Sequence, residues 1–187
     1  MNYLFNLFSS IYPLSEGLQD ALIKLLKTKD VPKKSFLLRK GHVCNDIFFI
    51  EKGLFRCYYN ANGKEICSWF MKENDIIISV ESFFRRTASN EDIQSIEDSI
   101  VHYISHSELD YLYKNFPEFN IMGRVLTENY YTLSEQRLYS MRSQKAVERF
   151  EYLRTHFPEI IRRVPSGYIA SYLGITIETL SRIKKNK

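Results

Sequence analysis

Residues 165–187 read PSGYIASYLGITIETLSRIKKNK, and this stretch decides the architecture of the C-terminal quarter. Ile169, Ala170 and Leu173 share one face of a short helix. Gly174 stops that helix where a left-handed residue is needed, and Thr176 is placed to cap a second one. In the second helix Leu180 and Ile183 point inward, while Thr179, Arg182, Lys184 and Lys185 remain outward. Two short helices joined by a glycine turn predict a helix-turn-helix. A recognition helix needs side chains near its start that reach base edges, an Arg able to grip guanine O6 and N7, and cations at its end for phosphates. The same residues also suit the last helical hairpin of a core, with its basic end solvated and complementing the helix dipole. The sequence runs to Lys187 without a β-hairpin wing, so a wingless motif is expected.

Spacing and charge taken together favour the first of these readings. Residues 137–187 carry eleven Lys and Arg against four Glu, a balance of +7 that leaves −3 on the first 136 residues of a chain whose total is +4. Clustered cations attract phosphates and release their condensed counterions, so a basic tail on an acidic body suggests a polyanionic partner. A solvated charged face is the alternative reading.

Upstream, SQKAVERFEYLRTH (residues 143–156) predicts a helix with Ala146, Val147, Phe150 and Leu153 on one face, ended by Pro158. Before it, residues 118–141 contain no Pro and a single Gly, and Met122, Leu126, Tyr130, Leu133, Arg137 and Met141 recur at steps of three and four. Such a helix spans about 36 Å and must bury its stripe. It can do so on its own β-domain or against the same helix of a second copy, and its length favours a dimer through Met122, Leu126, Tyr130 and Leu133.

From Lys34 to about His106 the chain consists of short β-branched and aromatic runs punctuated by Gly41, Gly53, Asn62-Gly63 and Asn74-Asp75. That spacing predicts an antiparallel sandwich or roll, with Asn62-Gly63 as a type I′ hairpin turn. One short helix, residues 18–27, leads into it, with Leu18, Ala21, Leu22, Leu25 and Leu26 on one face.

The 187 residues are 44% hydrophobic and 26% charged, which excludes disorder and collagen. No apolar run is long enough for a membrane helix and the opening lacks signal-peptide features, so a cytoplasmic protein without membrane attachment is expected. Cys44, Cys57 and Cys67 are odd in number and lack CxxC spacing, which reads as buried thiols without a metal.

In this order of elements the sequence resembles the Crp/Fnr family of bacterial transcription regulators, in the short form common in Bacteroidetes. The matching stretches are RKG at 39–41, FFIEKGLFRCYY with Gly53 and Arg56, KENDII at 72–77 and IASYLGITIETLSRI at 169–183. The resemblance implies an α+β chain with three parts. Residues 1–117 would form a double-stranded β-helix (jelly-roll) effector domain of the cyclic-nucleotide-binding type, 118–141 a central dimerisation helix, and 142–187 an all-α DNA-binding head. It also implies a homodimer on double-stranded DNA, with RNA polymerase as a candidate further partner.

In that family an Arg-Ser pair and backbone amides hold a cyclic phosphate and a Glu takes the ribose hydroxyl. The corresponding loop here is ISVESFFRRTASNED, residues 78–92. Ser79 stands at the Glu position, and Ser89 and Asn90 stand at the Arg-Ser positions. Without the bidentate guanidinium, cAMP in the usual mode is not expected, although Arg85 and Arg86 are near enough to substitute in another register. The candidate pocket is therefore Arg56, Trp69, Ser79, Val80, Glu81, Ser82, Arg85, Arg86, Ser89 and Asn90, with an unidentified small molecule as effector and no cofactor. Trp69, Phe70, Phe83 and Phe84 suit an apolar pocket, and suit a barrel core better. No Cys precedes Cys44 for an iron–sulfur cluster, and His42, His102, His106 and His156 show no spacing for haem or for a cupin-like metalloenzyme, so no enzyme is expected.

In the head, Glu178 and Arg182 fall at base-reading positions of the family, and Ile177 replaces an Arg there. Glu accepts from cytosine N4, Arg donates to guanine, and an apolar Ile touches a thymine methyl. Thr176, Thr179 and Ser181 are the candidate phosphate contacts, with Lys184 and Lys185 behind them. The competing class is a ligand-sensing or protein-interaction module that keeps the fold without binding DNA.

Overall fold

The computed structural model describes residues 2–185. Two helices, α1 (Asn2–Ile11) and α2 (Glu16–Leu25), precede eight strands: β1 (Lys27–Val31), β2 (Phe36–Leu38), β3 (Asp46–Lys52), β4 (Phe55–Ala61), β5 (Lys64–Met71), β6 (Ile76–Ile77), β7 (Asp92–Ser95) and β8 (Ser99–Ser105). Helix α3 (Val80–Arg85) interrupts them between β6 and β7, and α4 (His106–Asn115) follows β8. The C-terminal part is helical: α5 (Pro117–Ser143), α6 (Ala146–His156), α7 (Pro158–Arg163), α8 (Ser166–Tyr172) and α9 (Ile177–Lys185).

The strands form two antiparallel four-stranded sheets ordered β1-β8-β3-β6 and β2-β7-β4-β5, the two faces of a roll. Asn62 and Gly63 both adopt positive φ, 51° and 76°, which produces the twisted type I′ turn and pairs Ala61 with Lys64. Gly53 is required twice over. Its φ is +112°, and a Cβ there would lie 2.0 Å from the Ser99 hydroxyl and 2.8 Å from the Ser99 Cα.

Two apolar cores result. The first fills the roll with Phe49, Ile50, Phe55, Ile77, Ile93 and Val101, and is closed by Leu4 and Phe8 of α1, Leu18 and Leu22 of α2, and Phe119 and Met122 of α5. The second contains Phe150, Leu153, Ile160, Ile169, Leu173, Leu180 and Ile183 of the head helices, together with Leu54 and Ile96 from the roll. The head core is therefore completed by the β-domain. This accounts for β4, where four consecutive residues, Phe55 to Tyr58, are buried. One face of the strand meets the roll core and the other meets α8.

Several elements differ from the sequence expectation. Helix α1 was not foreseen, and neither was α7, a six-residue turn of helix between Phe157 and Val164. The leading helix ends at Leu25, and Lys27 already opens β1, paired with β8, so the sheet begins before Lys34. The central helix covers Pro117–Ser143, and α6 starts only at Ala146, after the Gln144 cap. The stripe of the central helix is divided. Met122 is fully buried in the first core and Leu126 packs against it, whereas Leu133 is exposed. Met122 and Leu126 thus face their own β-domain, not a free seam.

Candidate functional site

A cavity of about 580 Å³ lies among the roll, α1, α3 and α5. The loop of residues 78–92 forms one side of it, with Ser79, Val80, Glu81, Ser82, Ser89, Asn90 and Glu91 in the wall. Strands contribute Phe48, Phe49, Ser68, Trp69, Met71 and Ile76, and α5 contributes Gly123, Leu126, Thr127, Tyr130, Tyr131 and Ser134. Tyr130 is anchored across the cavity. Its hydroxyl accepts the Ile76 N–H at 2.8 Å, and burial, reinforced by the Asp75 carboxylate, raises its pKa above the ordinary phenol range.

The loop is held by its serines. Ser79 and Ser89 hydroxyls lie 3.1 Å apart. Ser82 accepts the Cys44 N–H at 2.8 Å and donates to the Thr87 carbonyl at 2.6 Å, which fixes α3 against the β2–β3 connection. Glu91 stands beside the Ser79 and Ser68 hydroxyls, and burial pushes its carboxyl upward against those hydrogen bonds.

Three of the expected pocket cations are elsewhere. Arg86 occupies the left-handed C-cap of α3 with φ 56°, and donates to the carbonyls of Cys44 and Phe83 and to the Asn45 side chain. One orphan carbonyl of that six-residue helix, Phe83's, gains a donor, and the remaining bonds tie the guanidinium to the β2–β3 connection. Arg85 is exposed and does not line the cavity. Arg56, only 3% exposed, lies on the opposite face of β4, where it donates to Gln94 and Glu65 and stacks between the rings of Tyr58 and Tyr168. It joins the roll to the head. The aromatics also separate: Trp69 and Phe84 line the cavity, Phe83 is core, and Phe70 packs on Tyr172 of α8.

The head has the geometry its sequence predicts. Gly174 has φ 66°, its N–H bonds to the Ser171 carbonyl, and the Ile175 N–H reaches back to Ala170, which is the Schellman closure of α8. Thr176 then accepts the Thr179 N–H at 3.2 Å and opens α9. Leu180 and Ile183 are buried; Thr176, Ile177, Glu178, Ser181, Arg182, Lys184 and Lys185 are exposed. Thr179 is half-buried, and its hydroxyl lies 3.2 Å from that of Thr176 and 3.3 Å from the Arg182 guanidinium. Glu178 lies at the start of α9, where its own backbone N–H and then the Thr176 hydroxyl hold its carboxyl low. Lys184 leans toward the Ser166 hydroxyl at 3.3 Å.

Not all the basic charge of the tail faces outward. Arg149 donates to the carbonyls of Leu173 and Gln144, and Arg137 donates to the Tyr172 carbonyl while stacking on the Tyr172 ring at 3.6 Å. Arg163 lies between Glu73 and Glu97 of the roll, at 2.8 and 2.5 Å. These cations fasten the head together and fasten it to the β-domain.

With this geometry in view, residues 28–116 match the family model described as cyclic nucleotide-binding domain. Over that span the chain is similar to cyclic nucleotide-binding domains. A search of the curated proteins gave no match. Solved structures extend the likeness to the head. A Crp/Fnr-family protein from Eubacterium rectale superposes with TM-score 0.76 at 17% identity, covering 100% of this chain and 87% of the other. FixK2 from Bradyrhizobium japonicum gives 0.70 at 17%, covering 87% and 84%. The c-di-GMP responsive regulator CLP of Xanthomonas campestris gives 0.70 at 13%, covering 92% and 91%. The described residues share the fold of these Crp/Fnr-family structures.

Sequence reasoning missed several cavity residues. Leu4 and Phe8 come from α1, whose four-residue apolar step was available as a signal. Glu91 directly follows the Ser89-Asn90 pair in the aligned loop. Leu126 and Tyr130 were assigned to a partner helix, although the same stripe serves the cavity wall equally well.

Proposed function

We propose that this chain is a homodimeric, sequence-specific DNA-binding transcription regulator whose cavity takes a small-molecule effector. The observation that carries the DNA reading is α9. It is capped by Thr176 and seated on Leu180 and Ile183, and it presents Ile177, Glu178, Ser181 and Arg182 on an exposed ridge that ends in Lys184 and Lys185. Glu178 and Arg182 are one helical turn apart, the spacing at which two side chains reach neighbouring base edges in a major groove. Each α9 would read one half-site, with the two heads about one DNA turn apart.

Dimerisation is supported by the second half of α5. Tyr131, Leu138 and Met141 share a heptad-spaced stripe and are exposed, Tyr131 by 66%. This stripe lies beside the one the sequence suggested, since Met122, Leu126 and Tyr130 turn to the β-domain. Leu133, 39% exposed, lies on the same side of α5 as Met122 and outside this stripe. Tyr131 also lines the cavity, so an effector there would touch the proposed seam directly. cAMP in the family's usual mode is disfavoured, because Arg56, Arg85 and Arg86 all lie outside the cavity wall.

The test is selection of bound fragments from a random double-stranded DNA pool, with Arg182→Ala as control. A palindromic motif lost in the variant is expected. Recovery of no motif, with or without candidate effectors, would overturn the DNA reading and leave an interaction module that keeps the fold. A motif in hand would also allow recruitment of RNA polymerase to be measured.

A further inference from the structure

We propose that the cavity selects an amphiphile with an apolar body and a hydrogen-bond-donating head free of negative charge, and excludes anions, cyclic nucleotides among them. The regulatory consequence rests on the reading above; the ligand chemistry itself does not.

The size is right for a small molecule. About 580 Å³ falls inside the range of roughly 300–1,000 Å³ usual for ligand sites. The body would lie among Trp69, Met71, Ile76 and Leu126, side chains that offer dispersion contacts and no donors to an anion, save the Trp69 indole N–H.

Charge decides the head group. Among the described residues no Lys or Arg lines the cavity, while two carboxylates do: Glu81 on the exposed first turn of α3 and Glu91 further in. Among the described wall residues His102 alone is able to carry positive charge. Burial lowers its basicity, and its ring is engaged by Thr28 through Nδ1 at 2.9 Å and by Glu51 through Nε2. The cyclic phosphate of a nucleotide would thus find no guanidinium and would share with the Glu91 carboxyl a site partly withdrawn from water, where like charges repel strongly. An ammonium, amide or hydroxyl donates to the same carboxylate and adds to the Ser79 and Ser68 hydroxyls already beside it. The mouth is consistent with an apolar body, since Val80 and Phe84 of α3 are more than half exposed at the rim.

The test uses the full chain and the neutral fluorophore N-phenyl-1-naphthylamine, competed below the micellar range by dodecylamine, dodecanol, dodecanoate and cAMP. Saturable fluorophore binding is expected, with the amine and the alcohol displacing it at least about tenfold more effectively than dodecanoate, and cAMP inert at millimolar concentration. Glu91→Gln should shrink the preference of amine over alcohol, read as the ratio of their displacement midpoints. Leu126→Trp, which fills the space without adding charge, should abolish binding with the melting temperature retained. Displacement by dodecanoate or cAMP as effective as by the amine would overturn the proposal, as would the absence of saturable binding. Ligand binding without a DNA motif would refute only the regulator reading, and a motif without ligand binding would refute only this one.

Discussion

The two apolar cores are built on opposite terms. The roll core is large and encloses a cavity, its wall assembled from strands, α1, α3 and α5. The head core is small and completed across a boundary, because Leu54 and Ile96 of the roll close over Phe150, Ile169 and Leu173. The first can accept something and the second can pass a displacement on. A hollow core responds to an occupant by shifting its walls, and α5 is one of those walls. A shared core gives the head no apolar surface that is indifferent to where the roll stands.

The sharpest way to break this contrast is Leu54→Ala. The side chain is fully buried, so truncation should cost about 2–5 kcal/mol. Although Leu54 belongs to the roll, hydrogen exchange should show faster amides in α8 and α9. Acceleration confined to β-strand amides would mean the cores are independent. Next in size is Arg182→Ala, expected to weaken a specific DNA site by about 1–3 kcal/mol, read by a binding isotherm. Its melting temperature should match the parent, because Arg182 belongs to neither core.

Smaller again is the ionic fastening between the cores. Arg163 holds the Glu73 carboxyl at about 2, well below its ordinary 4.5, and the Gly53 N–H adds to this. A carboxyl lowered on folding stabilises the fold above its unfolded value and loses that contribution as pH falls from 4.5 toward 2. Glu73 is partly solvated and Arg163 keeps Glu97, so Glu73→Gln should cost on the order of 1 kcal/mol at neutral pH. Melting curves of parent and variant should converge as pH approaches 2. A constant gap across that range would assign the loss to packing. The smallest effect belongs to Lys184→Ala, which should lower the salt dependence of DNA binding by about one unit of log–log slope and leave sequence preference unaltered. A changed preference would move Lys184 from phosphate to base.

What could be read from the sequence was what is decided locally. The Asn62-Gly63 hairpin, the Gly174 stop and the Thr176 cap depend on residues within one turn of themselves, and each formed where the letters placed it. What escaped depends on distant partners. Arg56 looked like a pocket cation until Tyr168 arrived from the head to stack on it, and Arg86 until the carbonyl of Cys44 took its donors. An apolar stripe on α5 states that something will cover it, and does not distinguish a neighbouring sheet from a second helix. Helix α7, six residues that open on Pro158 and end before Pro165, is too short for periodicity to register.

One contact between the regions bears on solubility. Strand β5 is the outer member of its sheet, and such a margin attracts the backbone of any other chain. Here the Ser171 hydroxyl of α8 accepts the Cys67 N–H at 3.0 Å and donates to the Glu65 carbonyl at 2.9 Å, imitating with one side chain the two bonds a neighbouring strand would make. The head is thus also a guard on an aggregation-prone border. Any rearrangement that lifts α8 from the sheet uncovers KEICSWFM, so the freedom of the head to move is bounded by the need to keep that border closed.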